Sequence, residues 1–379
     1  VPVIAVTGTN GKTTTVRLLA HLVRSAGKKA AFSSTDGVFV GGRLVEPGDY
    51  SGPKGAASAL AHNPHVAILE TARGGILLTG MGTAHNDVAV VTNVQPDHLD
   101  LHGVRTLDQL AEVKAAITRI TKPEGWDVLN ADDPRVLGMR RVATGRPFLF
   151  SLDPDNPALR HVVTEGGRAI SVLDGWLTVF GPGSTTRSLL PVEEIPMTLA
   201  GVSSQHLANA MAGTAAALGI GLQVASIVAG LRSFILDPDR NPGRANVFEL
   251  DGRVIVVDYA HNVDGVRGLV EILRGLRAPG AKTWVAYCAA GDRTPEIQRA
   301  MGEAAAKGAD HLAIAALPRY YRGRDPADII GNLRAGAVEA GRDPADVPDF
   351  PWRDGGARVD ARARGSPGRR GNRGARNAV

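Results

Sequence analysis

Near the N-terminus, the run Gly8-Thr9-Asn10-Gly11-Lys12-Thr13-Thr14 combines two glycines, a lysine and several hydroxyls in an order suited to holding a phosphate chain. Residues 1–6 read as an apolar strand and residues 13–26 as an amphipathic helix ending at Gly27, so the run is the turn between them. In such a turn the backbone N–H groups wrap phosphate oxygens, and the helix presents its N-terminus to the same anion. Gly8 and Gly11 permit the close approach, Lys12 neutralises charge near the β- and γ-phosphates, and Thr13 can reach Mg2+. Val6 stands five residues before Gly11, where the general phosphate-loop pattern has another glycine, and this points to a narrower variant.

Three further residues complete a nucleotide–metal site if the fold brings them together. Glu70 closes the strand-like run 65–70, His98 follows the strand-like run 87–92, and Lys114 lies in the helical pattern 107–120. Ligands of open parallel sheets gather beyond the carboxyl ends of the strands, where the loop, Glu70 and His98 all fall. A carboxylate and an imidazole suit a second divalent ion. Taken singly, His98 is more simply a hydrogen-bonded loop histidine and Lys114 a solvated helix lysine.

The elements that must position these groups alternate strand and helix, an α/β pattern with a mostly parallel sheet. Residues 128–130 read as a further strand end before the turn Ala131-Asp132-Asp133-Pro134. Residues 151–196 change to short alternating stretches rich in Gly and Pro, which reads as a small β insertion. Helices return at 204–218 and 224–231, and the Pro-, Asp- and Asn-rich run 237–243 is the best linker. Beyond it, strands at 253–259, 283–289 and 311–316 alternate with helices at 266–277 and 296–307, a second, smaller Rossmann-like domain. The expected division is 1–240, 241–350 and a basic low-complexity tail at 351–379.

With 44% apolar and 21% charged residues, the composition is that of a globular protein. The single cysteine, Cys288, rules out a disulfide framework and paired-cysteine zinc, and it fits a reducing cytoplasm. No apolar run approaches the roughly 18 residues of a membrane helix, and the N-terminus lacks the features of a secretory peptide. The net charge of +5 suggests nucleic acid, but residues 353–379 alone carry eight Arg against two Asp. The remainder is near neutral, so no nucleic-acid or membrane partner is expected.

These residues resemble the Mur ligase family in order and approximate spacing. The resemblance rests on residues 8–15, Glu70, the run 93–100, Lys114 and the run 130–133. It continues through 206–209, Pro242-Gly243-Arg244, Asp258-Tyr259-Ala260-His261-Asn262 and Gly291-Asp292-Arg293, covering roughly residues 1–330. Within the family, the runs 35–38, 48–53 and 70–76 look like the C-terminal half of the cyanophycin synthetases. The resemblance implies an ATP-dependent amide ligase acting through an acyl phosphate, which adds arginine to the aspartate side chains of a poly-aspartate backbone. It implies that Lys12 and Thr13 bind the triphosphate and a first Mg2+, and that Glu70 and His98 hold metal, with two ions in all. Lys114 would be the lysine often carbamylated in the family, a change that turns a cation into an anion beside the metals. Asn209 would face the adenine, and Arg244 and Asp258 would reach ATP from the linker and the second domain, with His261 nearby. Val263 and Thr294 depart from the family's usual proline and acid.

Three rival readings stay open. One is a Mur-type ligase with a γ-glutamyl or peptidoglycan-related acceptor. Another is a regulatory phosphate-loop ATPase, and the third, prompted by charge alone, is a nucleic-acid binder. A homo-oligomer is compatible with each. The chain's start at Val1 suggests a fragment or a shortened homologue, and the Arg/Gly/Ala tail reads as a disordered segment or as GC-rich DNA translated out of frame.

Overall fold

The structure, a computed structural model, describes residues 1–96 and 103–350. One sheet holds β1 (Val3–Thr7), β2 (Ala30–Ser34), β3 (Gly37–Val40), β4 (Arg43–Pro47), β5 (Val66–Glu70), β6 (Asn86–Val91), β7 (Thr121–Asn130), β8 (Arg146–Phe150), β9 (Arg168–Leu173), β10 (Trp176–Gly181) and β11 (Thr185–Pro191). The helices are α1 (Lys12–Ser25), α2 (Pro53–Ala61), α3 (Arg73–Thr79), α4 (Leu107–Arg119), α5 (Pro134–Gly138), α6 (Pro157–Thr164), α7 (Ser204–Gly219), α8 (Val224–Ser233), α9 (Val263–Leu276), α10 (Pro295–Gly308) and α11 (Pro326–Glu339). Strand order is β11-β10-β9-β8-β7-β6-β1-β5-β2-β3-β4. The strands from β9 to β2 run parallel, and antiparallel pairs extend the sheet at both ends.

Alternation along the central strands decides what covers each face. Ile4 and Val6 of β1, with Val88 and Val90 of β6, join the core beneath α1, α7 and α8. Their neighbours Ala5, Ala89 and Val91 face the other way, toward Leu110 and Ile117 of α4, Val136 of α5 and Leu159 of α6. Both faces are thereby buried, as a parallel sheet requires. The chain passes from β1 to β2 and β5 on one side, then to β6 on the other. The topological switch point therefore lies beside β1, at the phosphate loop.

The smaller C-terminal domain has its own sheets. β12 (Asn246–Leu250) pairs antiparallel with β13 (Arg253–Val257), and β14 (Trp284–Tyr287), β15 (His311–Ala315) and β16 (Asp349–Phe350) form a parallel sheet in that order. Its core joins Val266 and Val270 of α9, Met301 and Ala305 of α10, and Ile329 and Leu333 of α11 to Val285 and Ile314.

Several elements differ from the sequence expectation. The β stretch within 151–196 extends the main sheet as β9–β11, and α6 precedes it. The strand expected over 253–259 stops at Val257, because the Asp258 carboxylate accepts the N–H groups of Ala260 and Ala245, both at 2.8 Å, and turns the chain. α9 begins at Val263, with Asn262 accepting the Gly265 N–H as its cap. No helix among the described residues is long and apolar enough to cross a membrane. His98 and the tail 351–379 lie outside the described residues.

Candidate active site

The phosphate loop leaves β1 in a conformation that only glycine tolerates at two points. Gly8 has φ +152° and Gly11 has φ +85°. A Cβ on Gly8 would lie 1.8 Å from Thr92 Oγ1, and one on Gly11 would lie 2.2 Å from Asn209 Oδ1. Gly11 is also the N-cap of α1 and offers no capping side chain. The first N–H groups of α1 are therefore left for an external acceptor.

The segment after β6 fixes the loop from beneath. Asn93 Oδ1 accepts the N–H groups of Thr9 (3.2 Å) and Asn10 (2.8 Å). Asn93 Nδ2 (3.2 Å) and Thr92 Oγ1 (2.6 Å) donate to the Asn10 carbonyl. The Thr9 hydroxyl accepts the Gln95 N–H at 2.9 Å. Thr92 and Asn93 act here through hydrogen bonds to the loop, which sequence spacing does not reveal.

Charge gathers beside the loop. Lys12 Nζ donates to the carbonyls of Gly8 (3.0 Å) and Thr9 (2.8 Å). Lys114, buried on α4, donates to the same Gly8 carbonyl at 2.7 Å. Two ammonium groups thus donate to one carbonyl. At the end of β5, Glu70 is 1% exposed, and its Oε2 accepts the Thr13 hydroxyl at 2.9 Å. Its Oε1 is buried without a hydrogen-bond partner. Burial raises the Glu70 pKa, against the opposing pull of Lys12, the Thr13 hydroxyl and Arg244. A hydroxyl beside a carboxylate oxygen that lacks a donor is a donor set that fits a hard divalent cation such as Mg2+. Among the described residues, no three His, Cys, Asp or Glu side chains gather as a metal cluster.

Asn209 lies on α7 against Gly11 and accepts from Thr15 Oγ1 at 3.5 Å, so the structure places it at the loop. One turn earlier, His206 pairs through Nδ1 with Ser203 Oγ at 2.8 Å. Burial pushes its pKa down to about 4, with Asp258 opposing and Arg244 assisting, so the ring is neutral at neutral pH.

The far wall comes from the C-terminal domain. A cavity of about 1090 Å³ is lined by Gly8–Thr14, Glu70, Lys114 and Asn209 on one side, and by Arg244, Asp258 and His261 on the other. Arg244 stacks over Tyr259 at 4.8 Å. Every sequence-chosen residue within the described part therefore borders one space. That space extends to Arg73 of α3 and to Arg293, Tyr320 and Arg322 of the C-terminal domain, none of which had been assigned a part. Its volume exceeds what a single small ligand needs.

Comparison with known proteins follows the same outline. The family model for the Mur ligase middle domain matches residues 6–217, and that for the Mur ligase glutamate ligase domain matches residues 243–353. A cyanophycin synthetase of Synechocystis is 42% identical over 275 residues, 72% of this chain and 31% of that protein. A UDP-N-acetylmuramyl-tripeptide synthetase of Deinococcus radiodurans is 30% identical over 352 residues, covering 90% of this chain and 66% of its own length. The structure of E. coli FolC with DHPP and ADP superposes with a TM-score of 0.63 at 22% identity, over 92% of this chain and 85% of that one. This chain spans about a third of the length of the cyanophycin synthetases it matches. With one family model over more than half of its residues and a second over the C-terminal domain, the chain belongs to the Mur ligase family.

Proposed function

We propose that this chain catalyses ATP-dependent, ADP-forming amide synthesis through an acyl phosphate, adding arginine to the aspartate side chains of a poly-aspartate acceptor. The observation that carries the reading is the shared cavity. It sets the phosphate loop and the Thr13–Glu70 pair opposite Arg244 and Asp258, with space left for substrates besides a nucleotide. Likeness to cyanophycin synthetases at 37–42% identity supports the choice of acceptor and amine.

In the first step the acceptor carboxylate attacks the γ-phosphorus of ATP and ADP leaves; in the second the donor amine displaces phosphate through a tetrahedral intermediate. Lys12 stabilises charge on the transferring phosphoryl group, and the loop N–H groups hold the remaining phosphates. Thr13 and Glu70 Oε1 would hold Mg2+, and Glu70 with His98 would hold a second ion. Bound there, such ions neutralise developing phosphate charge. Carbamylation of Lys114 belongs to the same reading, because it would replace one of two crowded ammonium groups by an anion. Residues 1–240 and 241–350 would close about the linker at 237–243 and keep water from the acyl phosphate. An ATP-consuming enzyme with one cysteine suits the cytoplasm.

Phosphate release from MgATP, with a poly-aspartate primer and with or without arginine, tests this beside Lys12→Ala as blank. Release that needs both, with arginine incorporated, is the expected result. Release that ignores both substrates would overturn the ligase reading in favour of a switch ATPase.

A further inference from the structure

The two domains touch at the tip of the phosphate loop through a reciprocal pair of side-chain amides. Asn262 Nδ2 donates to Asn10 Oδ1 at 2.9 Å, and Asn10 Nδ2 donates back to Asn262 Oδ1 at 3.3 Å. Asn262 is 1% exposed, and its Oδ1 also accepts the Gly265 N–H at 2.9 Å as the cap of α9. Asn10 is tied by its backbone to the other half of the site, through the Asn93 amide and the Thr92 hydroxyl that lead toward residues 94–96. Asn10 therefore joins the start of α9 through its side chain and the segment after β6 through its backbone.

The physical consequence is specific. An isolated surface amide pair contributes little, because water serves both partners equally well. This pair is withdrawn from water on the Asn262 side, and each amide satisfies a donor and an acceptor of the other. Separating the domains would leave the Asn10 side chain without its partner and release the loop tip from α9. We propose that Asn262 is a positioning residue that sets the phosphate-loop tip when the domains are docked, so that phosphoryl transfer is supported only in the water-excluding, closed arrangement. This rests on the reading that ATP occupies the phosphate loop.

The capping and clasping roles of Asn262 can be separated. Serine still caps a helix but is too short to reach Asn10, whereas alanine loses both functions. The full chain carrying Asn262→Ser is compared with the parent by small-angle scattering, with and without MgAMPPNP, and by steady-state phosphate release from ATP. The expected result is a larger radius of gyration than the parent without nucleotide. A tenfold or greater fall in kcat should accompany it, with less than a threefold change in KM for ATP. Asn10→Ser removes the same pair without touching the α9 cap, which keeps the test valid if Asn262→Ser folds poorly. The double variant should be no worse than the poorer single one, since both remove one interaction. An unchanged radius of gyration in both single variants, or losses that add in the double variant, would overturn the proposal. Scattering is read without acceptor or amine, so a chain that forms no amide would defeat the ligase reading and leave this one judged on its own.

Discussion

At the scale of single residues, the most informative atom is Glu70 Oε1. Folding has buried a carboxylate, supplied one oxygen with the Thr13 hydroxyl and left the other without a donor. Burial opposes the charged form, so in the absence of a cation this residue costs stability at neutral pH. Glu70→Gln keeps the shape and removes the charge. It should melt at or above the parent's temperature in EDTA, while Mg2+ should raise the melting temperature of the parent and not of the variant. Turnover of ATP should fall by ~100-fold, the size of loss expected when a charge aimed at the reacting phosphate is deleted. A variant that melts well below the parent in EDTA would show that the carboxylate is structural. Much of this site was legible in the sequence, because glycine, lysine and hydroxyl spacing in a strand–loop–helix is set by the backbone geometry of phosphate binding itself. Thr92 and Asn93 were not legible in the same way, since their contribution depends on Asn10, more than 80 residues away in the chain.

At the scale of elements, short apolar runs were the reliable guide, and the reading failed where apolar periodicity is weak. β1, β5 and β6 carry unbroken apolar runs and were read to within a residue or two. α2 and α11 were missed, being rich in Ala and Gly, yet each opens with proline in its first turn, as do α5, α6 and α10. That start signal was present in the sequence and is mechanistic, because proline lacks the N–H that a first turn leaves unused. In β7, Asp127 shows what an element's interior does to a charge. It is fully buried, accepts the Thr121 hydroxyl at 2.7 Å and the Gly145 N–H at 2.8 Å, and desolvation raises its pKa to about 7 in spite of both bonds. The folded state thus keeps a proton that the unfolded chain releases near pH 4. Stability falls as pH rises from about 4 to about 7, by ~1.4 kcal/mol per unit at most. In Asp127→Asn the new amide can donate to Thr121, whose hydroxyl then turns wholly to the Ile117 carbonyl at 3.2 Å. The variant should therefore gain on the parent as pH rises from 4 to 8, measured by urea unfolding at each pH. A pH-independent difference would mean that Asp127 titrates normally.

At the scale of the whole molecule, the sequence announced two α/β runs and a Pro- and Asp-rich join, but nothing in it says which surfaces meet. Asn10 and Asn262 are separated by 252 residues, and Arg17 reaches 223 residues forward to the Arg240 carbonyl while also holding Asp36. The first contact comes from how the domains seat on each other and the second from how the linker seats on α1, and local pattern encodes neither. The join is pinned from both sides: Arg17 of α1 donates to the Arg240 carbonyl, and Asn246 Nδ2 of β12 donates to the carbonyls of Leu236 and Asn241, both at 3.0 Å. Arg244 follows this pinned segment and stacks on Tyr259, so its guanidinium is aimed into the cavity by a rigid support. If closure protects an acyl phosphate, Arg244→Ala should do more than weaken nucleotide binding. Removing the positive charge that acts on Glu70 across the cavity leaves the first step possible but holds the cavity open for longer, so water competes with the amine. The variant should release more phosphate per amide bond formed than the parent, alongside a KM for ATP raised several-fold. Parallel measurement of phosphate and incorporated amine gives that ratio directly. A ratio that stays at the parent's value while both rates fall together would mean that Arg244 binds nucleotide without governing closure.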